Sequence, residues 1–144
     1  YEITYGNWSS DVCSSDLHKL MAGDMLLMPS RFEPCGLTQY YAFRYGTVPV
    51  AHATGGLADT VVDTTYDSVI TGTATGFSFE HANAGAFQWC IERALGMFGQ
   101  RDQWRRIQAS CVGQDFSWDR SAARYVELYK SLTFHPGGKG RRRT

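Results

Sequence analysis

Pro29-Ser30-Arg31-Phe32-Glu33-Pro34-Cys35-Gly36-Leu37-Thr38 is the stretch on which the reading of this chain turns. It follows Met25-Leu26-Leu27-Met28, a short apolar run that Pro29 ends and that predicts a buried strand. It precedes a predicted helix from Gly36 to Tyr45, in which Leu37, Tyr40, Tyr41 and Phe43 recur near helical spacing. Gly46 stands where a helix-ending glycine belongs. A carboxylate, Glu33, therefore sits between the end of a strand and the start of a helix. Pro34 sets the approach to that helix, and Gly36 takes the side chain away from its first turn. The backbone N–H groups of Gly36, Leu37 and Thr38 would then point out of a helix N-terminus, which carries about half a positive charge and suits an anion. A phosphate on those amides and sugar hydroxyls on Glu33 would be a grip for a nucleotide sugar. The plainer alternative is that Glu33 caps its own helix. For Cys35 the plainer alternative is a buried, unreactive thiol.

Working outward, Val48-Pro49-Val50-Ala51 predicts a second buried strand, and Thr54-Gly55-Gly56 a turn into a short helix from Leu57 to Val62. Asp59 reads as a polar contact of that helix turn. Asp63 to Thr75, rich in Thr, Asp and Gly, reads as a loop, and Gly76 to Phe79 as a short strand. Ala84 to Phe98 predicts a helix with Phe87, Ile91, Ala94, Leu95 and Phe98 on one face. Gln103 to Cys111 predicts another, and Asp119 to Leu132 a last one with Ala122, Tyr125, Val126 and Tyr129 toward a core. Strands alternating with helices across short connections imply a parallel sheet covered by helices. Such sheets bind ligands outside the carboxyl ends of their strands, which points to the loops Ser30–Gly36 and Thr54–Gly56.

The bulk numbers agree with a globular domain or part of one. Of 144 residues, 43% are hydrophobic and 19% charged, with a formal net charge of zero. No overall field draws nucleic acid or an anionic membrane, and no apolar run approaches the roughly 20 residues of a membrane span. The four cysteines, Cys13, Cys35, Cys90 and Cys111, form no Cys-x-x-Cys pair and have no His at ligand spacing. Structural zinc and a disulfide framework are therefore not indicated, and free thiols suit a reducing, cytoplasmic setting. The chain opens on Tyr rather than Met, without a signal-peptide pattern, and is expected to be a fragment.

The run from Met28 to Val62 contains Met-Pro-Ser-Arg-Phe-Glu-Pro-Cys-Gly-Leu-Thr-Gln, Arg-Tyr-Gly-Thr-Val-Pro-Val and Thr-Gly-Gly-Leu-Ala-Asp-Thr-Val. It closely resembles the bacterial glycogen synthases and plastid starch synthases. The likeness runs from His18 to Leu132 and takes in Phe116-Ser117-Trp118 and the closing helix. The resemblance implies an α/β fold: part of the C-terminal Rossmann-like domain, a parallel sheet with helices on both faces, of a two-domain GT-B-type glycosyltransferase. It implies transfer of glucose from ADP-glucose to an α-1,4-glucan with retained configuration. By resemblance, Glu33 holds donor-sugar hydroxyls, Cys35 and Gly36 meet the glucose through their backbone, and Leu37 and Thr38 offer amides to the diphosphate. Gly55 and Gly56 form the adjoining turn. The chemistry implied is electrostatic stabilisation of a departing diphosphate, since a retaining hydrolase would need two carboxylates at close range. No metal and no cofactor beyond the donor are expected.

Some features depart from that pattern. The Arg and Lys that clamp the diphosphate in the family lie upstream of this segment, as does the N-terminal domain that completes the cleft, so the piece alone is expected to be inactive. Many related transferases carry a second Glu, eight positions after the first, that holds the ribose. Here that donor-site position is Tyr41, which reads as a mark of the synthase subfamily. Residues 9–17, Ser-Ser-Asp-Val-Cys-Ser-Ser-Asp-Leu, repeat Ser-Ser-Asp and look like a translated sequencing-adapter oligonucleotide, displacing a Gly-Tyr-x-Glu element that family members carry there. The domain is thus expected over 18–132, with 1–17 a remnant plus the artefact and 133–144 a disordered basic tail. The competing readings are another retaining two-domain transferase, against which Cys35 and Tyr41 argue, and a non-catalytic carbohydrate- or nucleotide-binding module. The latter would need exposed aromatics, whereas Trp89 and Trp104 fall in predicted helices and are expected in the core.

Overall fold

The computed structural model describes residues 22–133, so the expectations for 1–17 and for the tail beyond Thr133 lie outside the described residues. The described part falls into two units, one ending at Gln114 and one beginning at Asp115.

The first unit is built on three parallel strands in the order β1 (Met25–Met28), β2 (Val48–His52), β3 (Phe77–Phe79). Met25 pairs with Val48 and Met28 with Ala51, while Val50 pairs with Phe77 and His52 with Phe79. Every residue of β2 is buried. A parallel strand in the middle of a sheet has both faces covered, which is why Val48-Pro49-Val50-Ala51 lacks the alternation of a half-exposed strand. Helix α1 (Thr38–Tyr45) joins β1 to β2, and α2 (Gly55–Thr60) and α3 (Tyr66–Ile70) join β2 to β3. Helices α4 (Ala84–Phe98) and α5 (Arg101–Val112) follow and pack on each other.

Several boundaries differ from the sequence reading, each for a local reason. Helix α1 starts at Thr38 because Gly36, at φ 63°, is in the left-handed region and cannot be helical. It ends as predicted: Gly46 adopts φ 71°, and the N–H of Thr47 reaches back to the Ala42 carbonyl at 3.0 Å. Helix α2 lies at Gly55–Thr60, two residues earlier than predicted. The Asp63–Thr75 loop contains α3, whose five residues are too few to show a period. A capping box starts it: Ser68 N–H donates to Thr65 Oγ1 at 3.2 Å and Thr65 N–H to Ser68 Oγ at 2.8 Å. Ser occupies the place where the usual signature has Glu or Gln, which hid the motif.

In α4 the buried stripe is Cys90 and Ala94, flanked by Phe87, Ile91 and Phe98. Leu95 is exposed instead, because it lies at the edge of that stripe, away from Ala94. Trp104 of α5 is fully buried, stacked on Phe77 at 6.2 Å and met edge-on by Phe98 at 5.2 Å. Trp89 is not core: it is 56% exposed, with the Arg93 guanidinium 4.6 Å above its ring. Arg93 is drawn there by Asp63, which it meets at 3.0 Å, and by the Thr64 carbonyl at 2.6 Å.

The second unit is helix α6 (Trp118–Thr133), preceded by Asp115, whose carboxylate accepts the Ser117 N–H at 2.9 Å. That bond holds the Asp115 carboxyl below its ordinary range. Tyr125, Val126 and Tyr129, predicted to face a core, are exposed. Among the described residues no helix is long and apolar enough to cross a membrane.

Candidate functional site

The site is where the loops after β1 and β2 meet, at the carboxyl ends of the strands. Its backbone is pressed together more tightly than side chains would permit. The Gly56 N–H donates to the Glu33 carbonyl at 3.1 Å. A Cβ on Gly56 would collide with the carbonyl oxygen of Cys35, and one on Gly55 with that of Glu33. Gly55 also has φ 46°, which L side chains rarely adopt. The glycine pair is therefore required by close backbone approach. Its role in this structure is to seat Glu33-Pro34-Cys35.

Glu33 is half-buried, and its Oε1 accepts the Gly36 N–H at 3.1 Å. The expectation that all three amides of the loop project freely is thus corrected at Gly36, whose N–H is taken by the carboxylate three residues before it. The amides of Leu37 and Thr38 have no acceptor among the described residues. Leu37, at the N-cap of α1, offers no side-chain cap, and the first turn holds no acidic residue. The first turn of α1 supplies no acid of its own, and the carboxylate nearest its N-terminal partial charge is that of Glu33, bonded to the Gly36 N–H just ahead of the helix, in part the capping role that was the plainer alternative. No cation lies in ion-pair range of Glu33 among the described residues.

Cys35 is exposed, which overturns its reading as a buried thiol. Tyr41 is 40% exposed on α1. Asp59 is exposed, and its carboxylate has no hydrogen-bond partner among the described residues, so it makes no polar contact of the helix turn. No cluster of three or more His, Cys, Asp or Glu able to hold a metal ion occurs among the described residues.

Two residues that sequence reasoning passed over also hold the loop. His52, at the end of β2 and buried, has Nδ1 2.8 Å from the Ser30 carbonyl and Nε2 3.1 Å from the Glu80 carbonyl. Both partners are carbonyls, so a neutral ring donates to one of them, joining the end of β2 either to the loop after β1 or to the residue after β3. Gln39 is buried beneath the loop, with Nε2 donating to the Cys35 carbonyl at 3.2 Å. Neither belongs to a spacing that a single sequence reveals. The only cue for Gln39 was a polar residue beside the aromatic pair Tyr40-Tyr41 in the first turn of a helix.

The chain as a whole is similar to known proteins. The chain is 68% identical over 127 residues to a glycogen synthase of Paramagnetospirillum magneticum, covering 88% of the chain and 26% of that protein. It is 52% identical over 116 residues to glycogen synthase 2 of Nitrosococcus oceani, covering 80% of the chain and 24% of that protein. The chain thus spans about a quarter of the length of the curated relatives it matches. Among solved structures it is similar to the catalytic domain of starch synthase IV from Arabidopsis thaliana, bound to ADP and acarbose. The TM-score is 0.72 and the identity 39%, over 84% of this chain and 25% of that one. Residues 7–109 match the model of the glycosyl transferases group 1, and the chain belongs to that family.

Proposed function

We propose that the chain is the donor-binding part of a retaining glucosyltransferase that extends α-1,4-glucan from ADP-glucose. The observation that carries this reading is the seating of the Glu33 carboxylate beside the open N-terminus of α1, in a segment 68% identical to a glycogen synthase. Glu33 would exchange its bond to the Gly36 N–H for donor-sugar hydroxyls, and Cys35 and Gly36 would meet the glucose through their backbone. Leu37 and Thr38 would receive the diphosphate, whose growing charge as it leaves is stabilised by the helix N-terminus. Tyr41, one helical turn after Thr38 on α1 and partly exposed, would stand on the donor side. No metal is needed in this scheme, because the donor carries its own leaving group. The acceptor glucan and the remaining cationic clamp would be supplied by an N-terminal domain of the same enzyme, acting in the cytoplasm. The preference for ADP over UDP rests on the relatives: the similar starch synthase structure is bound to ADP.

The test is a titration of the isotope-labelled 144-residue chain with ADP-glucose. Amide resonances of Gly36, Leu37 and Thr38 are expected to shift, and UDP-glucose to act more weakly. Glu33→Ala should lose the sugar-dependent part of the shifts and keep those caused by ADP. The chain alone should not extend maltooligosaccharides. Shifts confined to other residues, or glucan extension by the isolated chain, would sink the proposal.

A further inference from the structure

Gln39 is fully buried in the first turn of α1, beneath the loop that carries Glu33. Its Nε2 donates to the Cys35 carbonyl at 3.2 Å and to Thr60 Oγ1 at 3.3 Å. The Thr60 hydroxyl spends its own proton on the Gly56 carbonyl at 2.7 Å, so its oxygen is left as an acceptor. This fixes the orientation of the amide: turned over, it would set Oε1 against the Cys35 carbonyl, two acceptors facing each other. A single side chain therefore ties the Cys35 carbonyl, the last residue of α2 and, through it, the Gly56 carbonyl.

The neighbourhood is shaped around that carboxamide. A Cβ on Gly36 would come within 2.5 Å of Gln39 Oε1 and 2.9 Å of Nε2. Oε1 is buried without a hydrogen-bond partner among the described residues. Buried amides normally satisfy both ends, and one left unpaired costs stability that an apolar side chain of the same length would not. Simple core filling would thus be served better by Met. What Gln39 supplies and Met cannot is a fixed position for the Cys35 carbonyl relative to the Gly55–Thr60 helix.

We propose that Gln39 is the positioning residue of the Glu33 loop. It does not touch the donor. It holds the Cys35 peptide so that the Glu33 carboxylate and the Gly36 N–H keep their places above the Gly55-Gly56 turn. The inference rests on the reading above, that this loop receives the sugar of a nucleotide-activated glucose.

The experiment uses the 144-residue chain and Gln39→Met, with Thr60→Val as a second variant that removes only the α2 arm. Two quantities are read: amide hydrogen exchange without ligand, and affinities for ADP-glucose and ADP from the same titrations. In Gln39→Met the Gly36 and Gly56 amides are expected to exchange at least about tenfold faster, with Val50 and Ala51 of β2 unchanged. The affinity for ADP-glucose should fall about tenfold and that for ADP less than about twofold. Thr60→Val should move both readouts the same way by less. A folded Gln39→Met with unaltered Gly36 and Gly56 exchange overturns the proposal. So does an equal loss of ADP-glucose and ADP affinity together with faster β2 exchange, the signature of a plain core residue. Should Gln39→Met not fold, the ADP-glucose to ADP ratio of Thr60→Val decides on the same criteria. If the unmodified chain itself does not distinguish ADP-glucose from ADP, the donor reading has failed and the proposal falls with it. A failure of the proposal alone shows only in the variants.

Discussion

Around Trp104 the chain is held by rings: Phe77 stacks on the indole at 6.2 Å and Phe98 meets its edge at 5.2 Å. Around Glu33 it is held by backbone and amide groups: the Gly56 N–H on the Glu33 carbonyl, the Gln39 amide on the Cys35 carbonyl, and two glycines that allow the chains to touch. The first region uses its side chains for stability and leaves none of Trp104 exposed for a ligand. The second region is fixed from behind, so that Arg31, Phe32 and Cys35 stay exposed and the Glu33 carboxylate only half-buried. A binding loop can be rigid without contributing its own side chains to the core, provided that glycine lets its backbone be gripped.

That contrast can be broken at either end. The largest effect is expected at the ring cluster: Trp104→Ala should cost about 3–5 kcal/mol of unfolding free energy, read by denaturant titration. Gly56→Ala should cost roughly 1–3 kcal/mol, because its methyl must displace the Cys35 carbonyl, and should also abolish the ADP-glucose shifts at Gly36. Gly96→Ala is its control. Gly96 lies inside α4 with open space around it, so alanine there should stabilise by about 0.5–1 kcal/mol and leave binding alone.

The cysteines differ between the two regions in exposure, which needs no mutation to read. Burial pushes the Cys111 thiol up to about 12. It pushes Cys90 up to about 11, partly opposed by Arg93. Thiol labelling of the folded chain at neutral pH should therefore reach Cys35 while sparing Cys90 and Cys111, as peptide mapping would show. With both folded values above the ordinary 9.0, the folded state holds protons that the unfolded state releases. Their contribution to stability is complete below pH 9 and declines as pH rises toward 11 and 12. Labelling of Cys111 in the folded chain at neutral pH would contradict the packing described. The smallest expected effect on stability is that of Glu33→Gln, within about 0.5 kcal/mol, since the carboxamide oxygen can still accept the Gly36 N–H. Its loss of sugar binding with stability retained is what separates a loop built for a ligand from one built for the fold.

Most strands and helices were legible because hydrophobic periodicity and glycine punctuation are local signals. Met25–Met28 and Val48–Ala51 announced strands, and Gly46 its helix end; of the two strands expected to be buried only β2 is so throughout, while in β1 Met28 is buried and Met25, Leu26 and Leu27 are partly buried. The likeness of the Glu-Pro-Cys-Gly-Leu block singled out the loop. Helix α3 escaped because five residues hold no period. Trp89 was misplaced because helical spacing does not say whether a neighbouring cation will hold a ring at the surface.

The order of the elements and the family were thus determined by the sequence itself, since each depends on residues near one another in the chain; the parallel sheet followed from that order, because strands joined through helices by short connections run the same way. Tertiary structure alone decided that Gly36 N–H turns to Glu33, that Gly55 and Gly56 lie against the Glu33 and Cys35 carbonyls, and that Gln39 and His52 fasten the loop from below. The physical reason is range: a hydrogen bond or a close backbone approach acts over about 3 Å in space, and the His52 to Ser30 and Gln39 to Thr60 bonds join residues 22 and 21 positions apart in the chain.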